Sequence, residues 1–146
     1  MIKFASPSVE AGAYVLSTLG APSRALDIVN GWMDSCANAQ IYEGNRTDAQ
    51  VFNLKYDEQG YYTITNKKSG CVLDVAGASS NNGANVWQYA PNNSLAQKWV
   101  IIKNADGFYS IHSALKMNLV LDICGGVDAN GVNVDVYAAN GTPAQK

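Results

Sequence analysis

Short stretches of alternating or continuous apolar residues run along the whole chain and predict β-strands. They are rich in β-branched and aromatic residues, which favour strands. Four of them are YYTIT (61–65), CVLDVA (71–76), ANVWQY (84–89) and QKWVII (97–102). Clusters of Gly, Asn, Ser and Pro separate these stretches and predict tight turns. No stretch has a convincing helical periodicity, so we expect an all-β protein.

The pattern occurs three times, with a period of 47 or 48 residues. Each unit begins with an aromatic residue: Phe4, Phe52 and Trp99. A tyrosine follows ten residues later: Tyr14, Tyr62 and Tyr109. An aspartate then lies in an apolar stretch: Asp27, Asp74 and Asp122. A second tyrosine stands fifteen residues beyond each aspartate: Tyr42, Tyr89 and Tyr137. A glutamine in an Ala-Gln pair closes the unit: Gln50, Gln97 and Gln145.

Three such units predict about twelve strands around a pseudo-threefold axis. The units are about 4–51, 52–98 and 99–146, and together they make a single domain, 1–146. One unit cannot bury its own apolar face, whereas three packed together can, and closing the sheet protects its edges. The third unit ends one residue before the next head aromatic would stand. We therefore expect the N-terminal strand with Phe4 to close against the C-terminal end, and the chain to be part of a longer protein.

Composition excludes several classes of function. The chain has 146 residues, 47% hydrophobic and 15% charged, with a net charge of −2. The ten scattered Lys and Arg residues form no basic stripe, which argues against binding to nucleic acid or to an anionic membrane. The apolar runs fall far short of the ~20 residues that a transmembrane helix needs, and the first residues lack the apolar region of a signal peptide.

The cysteines and the histidine do not suggest a metal, redox or cofactor site. Cys36, Cys71 and Cys124 are odd in number and lie at three different places in the repeat. We expect them to be reduced, partly buried apolar residues. His112 is the only histidine and is expected to be structural. We predict neither a metal nor a cofactor.

Taken together, the motifs resemble those of the ricin-type β-trefoil lectin domain. The AQVF (49–52) and AQKW (96–99) stretches match the Gln-x-Trp or Gln-x-Phe motif of that family, and AQK (144–146) is its truncated third copy. The Leu-Asp-Ile and Leu-Asp-Val triplets and the tyrosines match as well, over essentially the whole chain. The resemblance implies a β-trefoil in which the head aromatics fill the core and the glutamines order the strands.

The resemblance also implies up to three sugar sites, each with an Asp that accepts hydroxyl hydrogen bonds and a Tyr that stacks on the sugar ring. The residue two before each tyrosine and the Asn three after it complete each set. The first set is Asp27, Gln40, Tyr42 and Asn45; the second is Asp74, Trp87, Tyr89 and Asn92; the third is Asp122, Asp135, Tyr137 and Asn140. The third set ranks slightly ahead of the first, and the second is the least orthodox. The chain departs from the family at Ala49, Ala96 and Ala144, where an Asn often stands before the glutamine, which puts galactose preference and affinity in doubt.

Three functions compete at this point. The first is a non-catalytic lectin module for galactose or GalNAc-type sugars or a polysaccharide, which directs an attached hydrolase or surface protein to glycans outside the cell. The second is a trefoil with silent sugar pockets that binds protein, with Trp32 and Met33 as its loop anchors. An enzyme is disfavoured, because the repeated aspartates should be spread around the axis and no catalytic motif accompanies them. The sequence therefore favours the lectin.

Overall fold

The computed structural model describes residues 7–146, which form β-strands joined by loops and single-turn 3₁₀ helices. Alternation along the strands matches the sequence pattern; in the strand Tyr62–Asn66, every second residue is buried. Residues 7–146 contain twelve strands: β1 (Gly12–Tyr14), β2 (Ser17–Thr18), β3 (Ala21–Ile28), β4 (Ala39–Glu43), β5 (Phe52–Tyr56), β6 (Tyr62–Asn66), β7 (Val72–Val75), β8 (Ala84–Tyr89), β9 (Trp99–Lys103), β10 (Tyr109–Ser113), β11 (Lys116–Ile123) and β12 (Val132–Ala138). The all-β prediction is confirmed.

The second and third units contain four strands each, β5–β8 and β9–β12. Their strand pairing shows which strands of the first unit are equivalent to them. Tyr62 on β6 lies opposite Trp99 on β9, and Tyr14 on β1 lies opposite Phe52 on β5 in the same way. Strand β1 with β2 thus occupies, in the first unit, the place of the single strands β6 and β10. The strand predicted around Phe4 lies outside the described residues.

Residues 18–20 hydrogen-bond to the C-terminal end, whereas the strand around Phe4, for which this closure was predicted, lies outside the described residues. The backbone N–H of Leu19 donates to the carbonyl of Lys146 at 2.9 Å, and that of Gly20 donates to Pro143 at 3.1 Å. The hydroxyl of Thr18 donates to the same Pro143 carbonyl at 2.9 Å. The first and third units are therefore joined by hydrogen bonds across the closure.

Two of the three head aromatics lie at the centre of the core. Phe52 and Trp99 are fully buried, as predicted, and Phe4 lies outside the described residues. The indole Nε1 of Trp99 donates to the carbonyl of Leu73 at 3.2 Å, so its polar atom is satisfied. Each ring removes a large apolar surface from water, which stabilises the fold by roughly 2–3 kcal/mol.

A closed ring of three asparagines lies on the pseudo-threefold axis. Asn38 donates through Nδ2 to Oδ1 of Asn133 at 2.6 Å, Asn133 donates to Asn85 at 2.9 Å, and Asn85 donates to Asn38 at 2.8 Å. Each amide thus gives one hydrogen bond and accepts one. The same asparagine of all three units, four residues before the second tyrosine, meets its copies here and fastens the units together.

The cysteines are free, but their expected burial is only partly correct. Cys71 is buried, whereas Cys36 and Cys124 are exposed because both lie in loops between the third and fourth strands of their units. His112 has a structural environment, as predicted: Nδ1 lies 2.7 Å from the Met117 carbonyl and Nε2 lies 2.8 Å from the Ser110 hydroxyl. Within residues 7–146, no helix is long and apolar enough to cross a membrane.

Candidate functional site

Each unit places its aspartate opposite the residue that stands two before its second tyrosine. Strands β3 and β4 pair Asp27 with Gln40, β7 and β8 pair Asp74 with Trp87, and β11 and β12 pair Asp122 with Asp135. Side chains two apart on a strand share a face, so the tyrosine projects beside each pair. The three predicted sets are therefore brought together, one in each unit.

The tyrosines are the accessible part of each set, and most of the carboxylates lie below them. Tyr42, Tyr89 and Tyr137 keep 37–42% of their surface exposed. Asp27, Asp74 and Asp135 are only 6% exposed, and Asp122 is half-buried. An aromatic ring above a carboxylate can contact the apolar face of a sugar while the carboxylate accepts its hydroxyl hydrogen bonds.

The glutamine that closes each unit holds the turn after the tyrosine. In the second unit, Oε1 of Gln97 accepts from the backbone N–H of Asn92 at 2.8 Å, and Nε2 donates to the carbonyl of Ala90 at 3.0 Å. Gln50 and Gln145 make the same pair of bonds in their units. All three glutamines are buried, so their predicted structural role is confirmed.

The asparagines three residues after the tyrosines form turns. The side-chain Oδ1 of Asn45, Asn92 and Asn140 accepts from the backbone N–H two residues further on, in each case at 3.0 Å. This is the local hydrogen bond of an Asx turn. Their Oδ1 atoms are thus engaged by the backbone, and their role as sugar ligands stays a prediction.

The first unit has an open pocket. Its volume is about 470 Å³, and its lining includes Asp27, Gln40, Tyr42, Asn45 and Lys68. Nε2 of Gln40 donates to Oδ2 of Asp27 at 2.8 Å. Burial raises the pKa of Asp27, and the hydrogen bonds from Gln40 and Gln50 oppose that rise. The pocket therefore combines a carboxylate, an amide and an aromatic ring in one cavity.

In the second unit, both carboxylate oxygens of the aspartate accept hydrogen bonds from other side chains of the protein. Nε1 of Trp87 donates to Oδ1 of Asp74 at 2.8 Å, and Nε2 of Gln97 donates to Oδ2 at 3.0 Å. The ring of Trp87 also stacks on Tyr89, with centroids 6.1 Å apart. Both carboxylate oxygens accept a protein hydrogen bond, and one face of the tyrosine is covered. This unit therefore offers a wider aromatic surface than the first, and its carboxylate is hydrogen-bonded from the same two repeat positions as Asp27.

In the third unit, two carboxyl groups face each other, those of Asp122 and Asp135. Burial, together with the facing Asp122 carboxyl, raises the pKa of Asp135 to about 7. Oδ1 of Asp135 is buried and has no hydrogen-bond partner among residues 7–146. The equivalent residues in the other units, Gln40 and Trp87, both donate to their aspartate. This geometry favours the first pocket, although the sequence ranked the third set ahead; which pockets bind sugar stays a prediction.

Two features of the pockets were missed from the sequence. Lys68, from the hairpin between β6 and β7, lines the pocket of the first unit. In addition, a polar loop residue of one unit accepts a hydrogen bond from the backbone N–H after the tyrosine of another unit. The pairs are Ser35 with Ala90 at 2.9 Å, Asn82 with Ala138 at 2.7 Å and Asn130 with Glu43 at 2.8 Å. These polar residues recur at one repeat position, a signal that the sequence does contain.

The loop with Trp32 and Met33 is anchored through its backbone. Gln88 donates through Nε2 to the carbonyl of Trp32 at 3.0 Å and to that of Asp34 at 2.8 Å. The side chains of Trp32 and Met33 remain 55% and 58% exposed. This exposure is what the protein-binding alternative requires of its loop anchors.

Comparison with known proteins gives one family and a consistent fold. A family model for the ricin-type beta-trefoil lectin domain-like family matches residues 48–137. A search of curated proteins gives no match. Among solved structures, a designed threefold-symmetric protein, ThreeFoil, is 31% identical, with a TM-score of 0.88, over 91% of this chain and 94% of its own.

Two natural proteins have similar structures. The Rhizoctonia solani agglutinin is 29% identical, with a TM-score of 0.86, over 97% of this chain and 96% of its own. An exo-β-1,3-galactanase from Clostridium thermocellum is 25% identical, with a TM-score of 0.84, over 96% of this chain but only 30% of its own. The same fold thus occurs both as a nearly whole chain and as part of a longer enzyme.

Proposed function

Because this chain belongs to the ricin-type β-trefoil lectin-like family, we propose that it is a non-catalytic module that binds galactose-type sugars or a polysaccharide containing them. The observation that carries this proposal is the pocket of the first unit. There Asp27, Gln40 and Tyr42 line one cavity of about 470 Å³. The corresponding sets of the second and third units are further, less orthodox sites.

The chemistry of the first pocket suits a pyranose. A pyranose has an apolar C–H face, which the ring of Tyr42 can cover, and a rim of hydroxyls, which the Asp27 carboxylate can bind. One shallow site of this kind should bind with a dissociation constant of roughly 1 mM. Several sites on one scaffold, or many copies on a surface, would raise the avidity.

The carboxylates are poorly arranged for glycoside hydrolysis, which needs two of them about 5–10 Å apart around one bond. Asp27 and Asp74 face Gln40 and Trp87, so neither has a carboxyl partner across the strand pair. Asp122 does face a carboxyl, but the side chains of Asp122 and Asp135 are hydrogen-bonded to each other across the strand pair. A glycosidic bond would not fit between two groups in contact, which supports binding without catalysis.

We further propose that the module directs an attached hydrolase or surface protein to glycans outside the cell. The galactanase supports this, since a domain of similar fold forms about a third of that enzyme. The chain would then be one domain, 1–146, of a longer secreted or surface protein. Mass spectrometry of the native protein would measure the length of the parent chain and test this context.

A second candidate function is binding to a protein partner with silent sugar pockets. The exposed side chains of Trp32 and Met33 favour it, because their loop is fastened through its backbone while both side chains remain free to contact a partner. Competition separates the two functions. A monosaccharide should displace a glycan ligand, whereas it should leave a protein partner bound at this loop.

A glycan array tests the proposal directly. The wild-type chain should bind a defined set of galactose-containing glycans, and Asp27→Ala should weaken that binding if the first pocket carries it. Asp122→Ala tests the third unit, and Trp32→Ala is the matched surface control that should leave binding unchanged. A folded wild-type chain that binds no glycan, or binding that only Trp32→Ala removes, would overturn the sugar-binding proposal.

A further inference from the structure

The positively charged side chain of Lys68 lies at the rim of the first pocket. Lys68 lies in the hairpin between β6 and β7 and lines this cavity together with Asp27 and Tyr42. A Cβ atom built on Gly31, in the opposite loop, would lie 2.7 Å from Lys68 Nζ and 3.6 Å from the Cβ of Ala49. The ammonium group therefore lies against the loop that carries Gly31, and the glycine leaves room for it.

The other two units have no cation at this position. The residue before Lys68 donates its backbone N–H to Val51 at 2.8 Å, and the equivalent bonds run from Ala114 to Lys98 and from Leu19 to Lys146. These bonds align Lys68 with Leu115 in the third unit and with Gly20 in the first. A charged donor at the rim is thus particular to the pocket of the first unit.

Neighbouring charges leave the Lys68 ammonium available. Asp48 also lines this cavity, but it is exposed and contacts the adjacent Lys67 at 3.3 Å, which offsets its charge. Within residues 7–146, Lys68 has no carboxylate within ion-pair distance, and its backbone N–H donates to Asn66 at 3.1 Å, which holds the hairpin. Asp27 lies buried and accepts from Gln40. The pocket therefore has a hydrogen-bond acceptor in its buried part and a cationic donor at its rim.

We propose that Lys68 makes the first pocket select sugars that carry an anionic group, a carboxylate or a sulfate, over their neutral counterparts. This inference rests on the proposed sugar-binding function of the same pocket. The sugar hydroxyls would bind Asp27, its apolar face would lie on Tyr42, and its anionic group would point away from Asp27 toward the ammonium. A charge-assisted hydrogen bond there is stronger than a neutral one, although exposure to water limits the gain.

Matched ligands test the proposal. The chain is titrated with galactose, galacturonic acid and galactose 6-sulfate, which differ only at C6, at low salt and neutral pH by NMR. We expect the anionic sugars to bind about threefold to tenfold more tightly than galactose. The preference should shrink at high salt, since exposed charges are screened. The ratio between the two anionic sugars identifies which anionic group the pocket prefers.

Two lysine variants complete the test. Lys68→Met should remove the preference while galactose still binds, and Lys55→Met, at an exposed lysine on β5 outside the lining of this cavity, is the control that should retain it. Equal affinity of the wild-type chain for all three sugars, or a preference that survives in Lys68→Met, overturns the inference and leaves the lectin function standing. A wild-type chain that binds none of the three overturns both.

Discussion

Asp135 faces Asp122 across the β11–β12 pair, at the position where the other two units place a hydrogen-bond donor against their aspartate. Two carboxylates so placed cannot both be ionised without cost. Burial and the neighbouring carboxyl accordingly raise the pKa of Asp135 to about 7. Below about pH 7 the carboxyl pair of the third unit therefore retains a proton.

This proton makes stability depend on pH. In the unfolded chain Asp135 should titrate at its ordinary pKa near 3.8, so between about pH 4 and pH 7 the folded state binds more protons than the unfolded one. The free energy of unfolding should fall as the pH rises through this range. Asp135→Gln, which copies the first unit, should remove this fall and stabilise the chain at pH 8 by roughly 1–3 kcal/mol. Urea unfolding at pH 5 and pH 8 measures the difference.

The reciprocal variant is the control for that prediction. Gln40→Asp would place the same carboxyl pair in the first unit, because Gln40 faces Asp27 there. It should make the loss of stability between pH 5 and pH 8 steeper. An Asp135→Gln chain with the same pH dependence as the wild type would contradict the shared-proton interpretation.

The asparagine ring should contribute to stability as a unit. Asn85→Ala removes an acceptor from Asn133 and a donor from Asn38, so both remaining amides lose a hydrogen bond on the axis. The loss of these hydrogen bonds from two half-buried amides should lower the free energy of unfolding by roughly 1–3 kcal/mol. Asn118→Ala, at an exposed position on β11, is the matched control. Similar urea midpoints for the two variants would mean that the ring contributes little.

Cys36 occupies a backbone conformation that suits glycine. Its φ is 71°, and the equivalent residues in the other units are Gly83 and Gly131, with φ of 79° and 81°. Cys36→Gly should relieve the left-handed strain and stabilise the chain by up to about 1 kcal/mol. Cys124→Gly, at an exposed cysteine whose φ is not positive, should instead destabilise it by roughly 0.5–1 kcal/mol. Thermal unfolding under reducing conditions should give melting shifts of opposite sign.

One substitution, Trp87→Gln, should make Tyr89 of the second unit more accessible to a sugar. Trp87→Gln removes the ring that covers Tyr89 and restores the amide that Gln40 provides beside Asp27. If the lectin proposal holds, sugar binding in the second unit should strengthen by about threefold to tenfold, an aromatic contact being worth ~1 kcal/mol. NMR shifts around Asp74 follow this site, and Trp32→Gln is the matched tryptophan control. Weaker binding in Trp87→Gln would instead make Trp87 itself a sugar contact.

Much of the fold could be predicted from the sequence because the same pattern of residues occurs three times. The recurring aspartates and tyrosines align only if each unit folds alike, and alternation predicts the strands that carry them. The same comparison placed Asp27 and Gln40 in one set, and the structure adds that they lie opposite each other on β3 and β4. Features confined to one unit were harder to predict. The split of the first unit's second strand into β1 and β2 has no counterpart in the other units.

The rest of the site depends on contacts between units, which spacing within one unit does not show. Lys68 belongs to the second unit but lines the pocket of the first. The asparagine repeat was visible, but the ring on the axis follows only from the way in which the units meet. Side-chain size also shapes each site, because the large ring of Trp87 stacks on Tyr89, whereas Gln40 and Tyr42 line an open cavity.

The loop contacts between units form a closed cycle. Cys36 of the first unit donates to Gln88 of the second, Gly83 of the second donates to Val136 of the third, and Gly131 of the third donates to Ile41 of the first, all at 2.8–2.9 Å. In a linear array of repeats, each end unit has one neighbour and can fray by itself. Here every unit has two neighbours, so the loss of one unit strips contacts from both others. The domain should therefore unfold in a single cooperative transition, and each candidate site should persist only as long as the whole trefoil does.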